Sequence, residues 1–234
     1  MSRSNATKRS GDSGGPRVLR ADALRNERQV LEAARDVFVE RGPNAPLDEI
    51  AVRAGVGIGT LYRRFAGRQP LMQAVVGDAL IRSKQEAEDA LAHEADGLSA
   101  LTRYMQAMLD VRVAAVIPAL LDELELDDPA LMEVRDASAQ AVEHIVDAAH
   151  SDGTLPTDVS FGDVGTLLVR LSRPLPGPIS AELDRHLAHR HLELLLSGLS
   201  TEAQRKKLEG PALSREDLQA LRGRDTGGTA DDLG

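Results

Sequence analysis

Two short helices joined by a glycine turn constrain this chain more than any other feature of it. Leu47, Ile50, Ala51 and Ala54 fall at i, i+3, i+4 and i+7, the stripe of an amphipathic helix. Pro46 suits its first turn, and Asp48 and Glu49 favour its positive end. Gly55-Val56-Gly57 then forms a tight turn, and a third helix runs from Ile58 to about Phe65. In that helix Ile58, Leu61 and Phe65 can face inward. Thr60, Arg63 and Arg64, spaced i, i+3, i+4, make another face with Tyr62 beside them. Short helices with arginines at one end fit a major groove, and Gly57 and Gly59 would let the backbone come close to a sugar-phosphate chain. Periodicity alone leaves an ordinary helical bundle open as well, because this geometry recurs without DNA.

The flanking segments are also helical. Asp22 can cap a helix with Val30, Leu31, Ala34, Val37 and Phe38 on one face and Gly42 as its stop. After Gly67 the helices lengthen. The pattern predicts Arg68 to about Ala92, with Pro70 tolerated in the first turn, then Leu98–Val116 and Ile117–Leu126, broken near Pro118. Pro129–Ala149 follows, ended by Ser151-Asp152-Gly153. Phe161–Leu171 and Ile179–Leu199 form a final pair around the segment Pro174 to Pro178. Ser214, three residues before Asp217, can cap a short helix in the tail. No alternating β-branched and aromatic run marks a strand. The expected fold is all-α: a disordered basic arm over 1–20, a three-helix helix-turn-helix head over 21–67, a larger helical body over 68–199, and a polar tail over 200–234 with one short helix.

Charge divides the chain at the same place. Residues 1–68 hold thirteen Lys and Arg against eight Asp and Glu, and the remainder holds fifteen against twenty-nine. A basic head can bind a polyanion while an acidic body does something else. Lys8 is the only lysine of the head, and arginine forks match phosphate and guanine better than lysine does. Cysteine is absent, which excludes disulfide scaffolds, thiolate nucleophiles and cysteine–zinc sites. No apolar run approaches the ~20 residues of a membrane helix and no leader opens the chain, so a cytoplasmic protein is expected.

From Leu47 the chain reads Leu-Asp-Glu-Ile-Ala-Val-Arg-Ala-Gly-Val-Gly-Ile-Gly-Thr-Leu-Tyr-Arg-Arg-Phe-Ala-Gly-Arg. This stretch, within a match from about Val30 to Val76, resembles the DNA-binding head of the tetracycline-repressor (TetR) family. The resemblance implies a repressor that grips a palindromic operator in double-stranded DNA as a homodimer and is released by a small-molecule effector. It implies no catalysis and no cofactor. The implied DNA face is Ile58, Gly59, Thr60, Tyr62, Arg63, Arg64 and Arg68, with Tyr62 and Arg68 on phosphates and Thr60 and Arg63 at base edges. Three positions depart from the family pattern. Pro46 and Leu47 stand where a capping threonine is common, Gly57 replaces the usual serine, and Arg68 replaces the lysine opening the fourth helix.

In the body, Leu98, Leu101, Met105, Met108, Leu109 and Arg112 share one side of a helix, with Tyr104 at its margin. Val134, Ala141, Val142, Ile145 and His144 can face them. Most of these are core, and Tyr104, Met108, Arg112 and His144 are the candidates for an effector site. The helix Ile179–Leu199 is apolar on two sides, Leu183, Leu187 and Leu194 on one and Leu192, Leu195, Leu196 and Leu199 on the other. That calls for a partner. With Phe161, Val164, Leu168 and Leu171 it would complete a four-helix bundle, and Phe161, Val164, Leu168, Leu183, Leu187 and Leu194 are the expected dimer contacts.

Other patterns carry less. Gly11-Asp12-Ser13-Gly14-Gly15-Pro16 reads like a serine-protease nucleophile signature without the β-barrel such chemistry needs. The histidines lack metal-ligand spacing, and the acids from Asp122 to Asp128 lack the turn glycine of a cation loop. Gly55-x-Gly57-x-Gly59 lacks the strand that precedes a dinucleotide fingerprint. The rival reading is a small-molecule-binding protein or enzyme with an incidental basic head.

Overall fold

The computed structural model describes residues 16–111, 116, 117, 120, 124, 128–175, 179–199, 215 and 216, with side chains from Arg25 onward. Eight helices and no strands are found among these: α1 (Pro16–Arg41), α2 (Leu47–Arg53), α3 (Ile58–Arg64), α4 (Arg68–His93), α5 (Gly97–Asp110), α6 (Pro129–Ser151), α7 (Phe161–Leu171) and α8 (Ala181–Leu199). Most of the protease-like motif (Gly11 to Gly15), Arg112, Pro118, the acidic positions Asp122, Glu123, Glu125 and Asp127, the positions 176–178, and the Ser214–Asp217 cap lie outside the described residues.

The head is a three-helix unit. Val37 and Phe38 of α1, Ile50 of α2 and Leu61 of α3 are fully buried, and Leu71, Met72 and Val75 of α4 join them. Helix α1 starts at Pro16 rather than behind Asp22, so residues 16–20, expected in the arm, are helical. Proline is preorganised for a first helical position, and the Arg, Leu and Ala that follow favour helix, so nothing delays the start.

Helix α4 links head and body in 26 residues, about 39 Å at the usual rise. Its buried positions Leu71, Met72, Val75, Val76, Ala79, Leu80, Ser83, Ala87 and Ala90 continue one stripe from α1 to α5 and α6. The core is therefore one continuous cluster. At the junction, Arg35 of α1, 5% exposed, sends Nη2 to Asp78 Oδ2 of α4 at 2.6 Å. Arg82 Nε reaches the same oxygen at 2.9 Å. Burial pulls the Arg35 guanidinium below its ordinary pKa, and Asp78 pulls it back up.

Helix α5 enters the body against the end of α6. The side chain of Asp96 accepts from Ser99 N, Asp152 accepts from Gly97 N at 2.6 Å, and Thr154 Oγ1 accepts from Leu98 N at 3.1 Å. The first N–H groups of α5, which have no partner inside the helix, are thus met by residues some 55 positions away. Gly97 is required there, since a Cβ would overlap the Ala149 backbone. The Thr154 hydroxyl and the Gly97 N–H hold the Asp152 carboxyl below its ordinary pKa. Helix α5 ends at Asp110, with Val111 as its cap, short of the expected Val116. Helix α7 has the expected bounds, and Ser160 and Asp163 close a capping box at its start.

Candidate nucleic-acid interface

The α2–α3 turn is built from backbone. Gly55 takes φ +68°, where a side chain would be strained, and its N–H donates to Val52 O at 3.1 Å while Val56 N–H donates to Ala51 O at 3.0 Å. Neither Pro46 nor Gly57 caps its helix through a side chain. Helix α3 is held by Leu61 and Phe65, both buried. Ile58, expected to face inward with them, is 37% exposed, because the first turn of α3 projects beyond the head core.

The outward face of α3 carries Ile58, Gly59, Tyr62, Arg63 and Arg64, with Thr60 half-buried. The arginines are not equivalent. Arg64 pairs with Glu27 of α1. Arg53 of α2 makes a fork–fork pair with Glu40, both bonds 2.9 Å, and that hydrogen bonding raises its pKa. Arg68 sends Nη1 to the carbonyls of Pro43 and Ala45, at 2.7 and 2.6 Å, which braces the start of α4 against the α1–α2 loop. Arg63 has a neutral partner: its Nη2 donates to Thr60 Oγ1 at 3.1 Å. Three cations read from the sequence as one surface are therefore committed differently, and the partners of Arg64 and Arg68 lie 37 and 23–25 positions away. Val52 of α2, 80% exposed, stands on the same motif and was not singled out by periodicity.

Of the expected effector residues, Tyr104, Met108 and His144 are described, and these three do not share one site. Tyr104 and Met108 are buried, and Tyr104 shares a 3.0 Å hydrogen bond with Ser83 across α4 and α5. Burial pushes the Tyr104 phenol up to about 12. His144 lies exposed on the outer side of α6, since its neighbours Ile145 and Val146 take the inward positions. A groove of about 930 Å³ runs between α5, the loop after α6 and α8, and its walls include Leu98, Thr102, Arg103, Thr154, Glu193 and Leu196.

The dimer candidates also divide. Val164 and Leu168 are buried inside the protomer, where α7 packs on α5, so they are core and not interface. Leu192 and Leu196 turn α8 inward, while Leu183, Leu194 and Leu195 are exposed. Phe161 and Leu187 are half-buried. Among the described residues no group of three or more His, Asp or Glu is placed to hold a metal, and no helix is long and apolar enough to cross a membrane.

A turn of this geometry, with exposed Arg63 beside half-buried Thr60 on its second helix and a helical body behind it, is the arrangement of helix-turn-helix transcriptional regulators. The chain belongs to the TetR family. Residues 30–75 match the bacterial regulatory proteins of the tetR family, and residues 96–201 match the C-terminal domain described as transcriptional regulator SbtR-like. A TetR transcription regulatory protein from Mycobacterium vanbaalenii is 32% identical, with 78% of this chain and 99% of that chain covered and a TM-score of 0.55. The uncharacterized HTH-type transcriptional regulator TtgW of Pseudomonas putida is 41% identical over 61 residues, 26% of this chain and 46% of that protein. The HTH-type transcriptional repressor BepR of Brucella suis is 39% identical over 64 residues, 27% and 31% of the two lengths. The match thus spans less than half of either curated relative.

Proposed function

We propose that the protein is a repressor that reads a palindromic operator as a homodimer and leaves it when a small molecule occupies the body. One observation carries the DNA reading: Arg63, exposed on the outward face of α3, donates to half-buried Thr60 beside it, while Arg53 and Arg64 nearby are held by carboxylates. A guanidinium so placed can take both acceptors of a guanine edge. Tyr62, 52% exposed, and the remaining N–H groups of Arg68 are assigned to phosphates. Repression is also what the name of BepR states of that protein.

Leu183, Leu194 and Leu195 support the dimer, because α8 leaves them uncovered in the protomer. The groove beside α5 is assigned to the effector in place of the buried Tyr104–Met108 pair. It lies at the far end of α4 from the head, so occupancy there would bias the head through that helix. Its place of action is the cytoplasm, where such an operator lies.

The test is selection of bound duplexes from sheared genomic DNA, followed by titration at several salt concentrations. Arg63→Ala should lose preference at one position per half-site, about 1–3 kcal/mol of discrimination. Tyr62→Phe should weaken all sequences together and reduce the salt slope by less than the ~0.9 of one lost charge contact, because only a hydroxyl is removed. An Arg63→Ala protein with unchanged preference and uniformly lower affinity would reassign Arg63 to a phosphate. A wild type that selects no sequence at all would overturn the reading.

A further inference from the structure

We infer that Ile58 reads the 5-methyl group of a thymine in each operator half-site. The inference deepens the proposed function and rests on α3 being the DNA-reading helix.

Ile58 opens α3 and is 37% exposed, while Leu61 and Phe65 do the anchoring. A wholly hydrocarbon, β-branched side chain is therefore left partly open to water at the first turn of the helix. Its two neighbours are glycines: Gly57 is the N-cap, a position that glycine suits, whereas Gly59 inside the helix has no internal reason to be glycine. Gly57 has φ −72° and ψ 144°, an ordinary extended conformation, and Gly59 is helical. A Cβ on either would meet nothing within 4 Å among the described residues. Gly59 also weakens the helix by about 1 kcal/mol relative to alanine. A missing side chain that serves neither conformation nor packing within the protein gives closer approach to something outside it. At this tip Ile58 is the one projection, with smooth backbone on either side.

The N-terminal residues of the second helix are those that meet base edges in this motif. The floor of the major groove presents donors, acceptors and one apolar group, the thymine methyl. Isoleucine can neither donate nor accept, so the methyl is the partner its chemistry fits, and a phosphate is not. Thr60 and Arg63 supply the polar part of the same surface. Val52 is more exposed still, but it lies on α2, which crosses the backbone and does not enter the groove.

The test uses synthetic duplexes carrying the sequence that the wild-type protein selects, with each thymine in turn replaced by deoxyuridine. This removes the methyl and leaves base pairing intact. Replacing the contacted thymine in one half-site should weaken wild-type binding about fourfold, the worth of one buried methyl-sized group, and replacing it in both about sixteenfold. Ile58→Ala, which loses the contact in both half-sites, should bind the thymine duplex about sixteenfold less tightly and be indifferent to either replacement. Ile58→Val and Val52→Ala should both remain sensitive to them. Circular dichroism melting checks that each variant is folded, which exposure of both sites favours. A deoxyuridine penalty that persists in Ile58→Ala, or a wild type indifferent to every replacement, overturns the inference while leaving the DNA reading in place. A wild type that selects no sequence overturns both.

Discussion

Head and body are built from the same material, helices with one apolar stripe, yet they place their chemistry on opposite sides of it. In the head the core uses Phe38, Ile50, Leu61 and Phe65, and the candidate reading residues Ile58, Thr60, Tyr62 and Arg63 lie outward or at its margin. In the body the polar group Tyr104 is buried between α4 and α5 as a partner of Ser83. Among the described residues an open groove lies at the rim. The lesson is that a helical surface can be altered in the head without disturbing the fold, whereas in the body the same kind of change reaches the packing.

The sharpest way to break the comparison is at the junction, where the buried Arg35–Asp78 pair and the more exposed Arg82–Glu32 pair tie α1 to α4. Asp78→Ala strands the buried Arg35 guanidinium, and its loss should cost about 3–5 kcal/mol in urea denaturation. The double change Arg35→Met with Asp78→Leu should recover most of that. A small penalty for Asp78→Ala would mean that head and body are less tightly joined than the geometry indicates.

Gly97→Ala tests the body alone. Its Cβ must displace the Ala149 backbone, so the denaturation midpoint should fall by the equivalent of about 1–3 kcal/mol. DNA binding should be retained wherever the variant is folded.

Tyr104→Phe should cost about 1 kcal/mol, because the buried Ser83 hydroxyl loses its partner. The pH dependence has a definite sign. The folded phenol holds its proton to about pH 12, whereas the unfolded one releases it near 10. Its contribution is full below about pH 10 and is lost as pH rises toward 12. Denaturation midpoints measured at pH 9 and 11 should therefore converge for Tyr104→Phe relative to wild type.

The smallest effect belongs to the head surface. Arg53→Ala removes an exposed pair with Glu40 and should cost less than about 1 kcal/mol, diminishing as salt is added. A larger loss would show that the outer face of the head also supports its fold.

By itself the sequence determined the all-α class, the α2 and α3 boundaries to within a residue, the bounds of α7, and the outward placement of Tyr62 and Arg63. These depend on periods, caps and glycines within a few positions of one another, which is the range over which backbone geometry is set locally. What covers each apolar face was decided only in the tertiary structure. Val164 and Leu168 turned into the core of the protomer, and His144 turned out of the body. Arg35, Arg64 and Arg68 found oxygens 23 to 43 positions away. A helical period states which residues share a side, but the neighbour on that side is chosen by how whole helices pack.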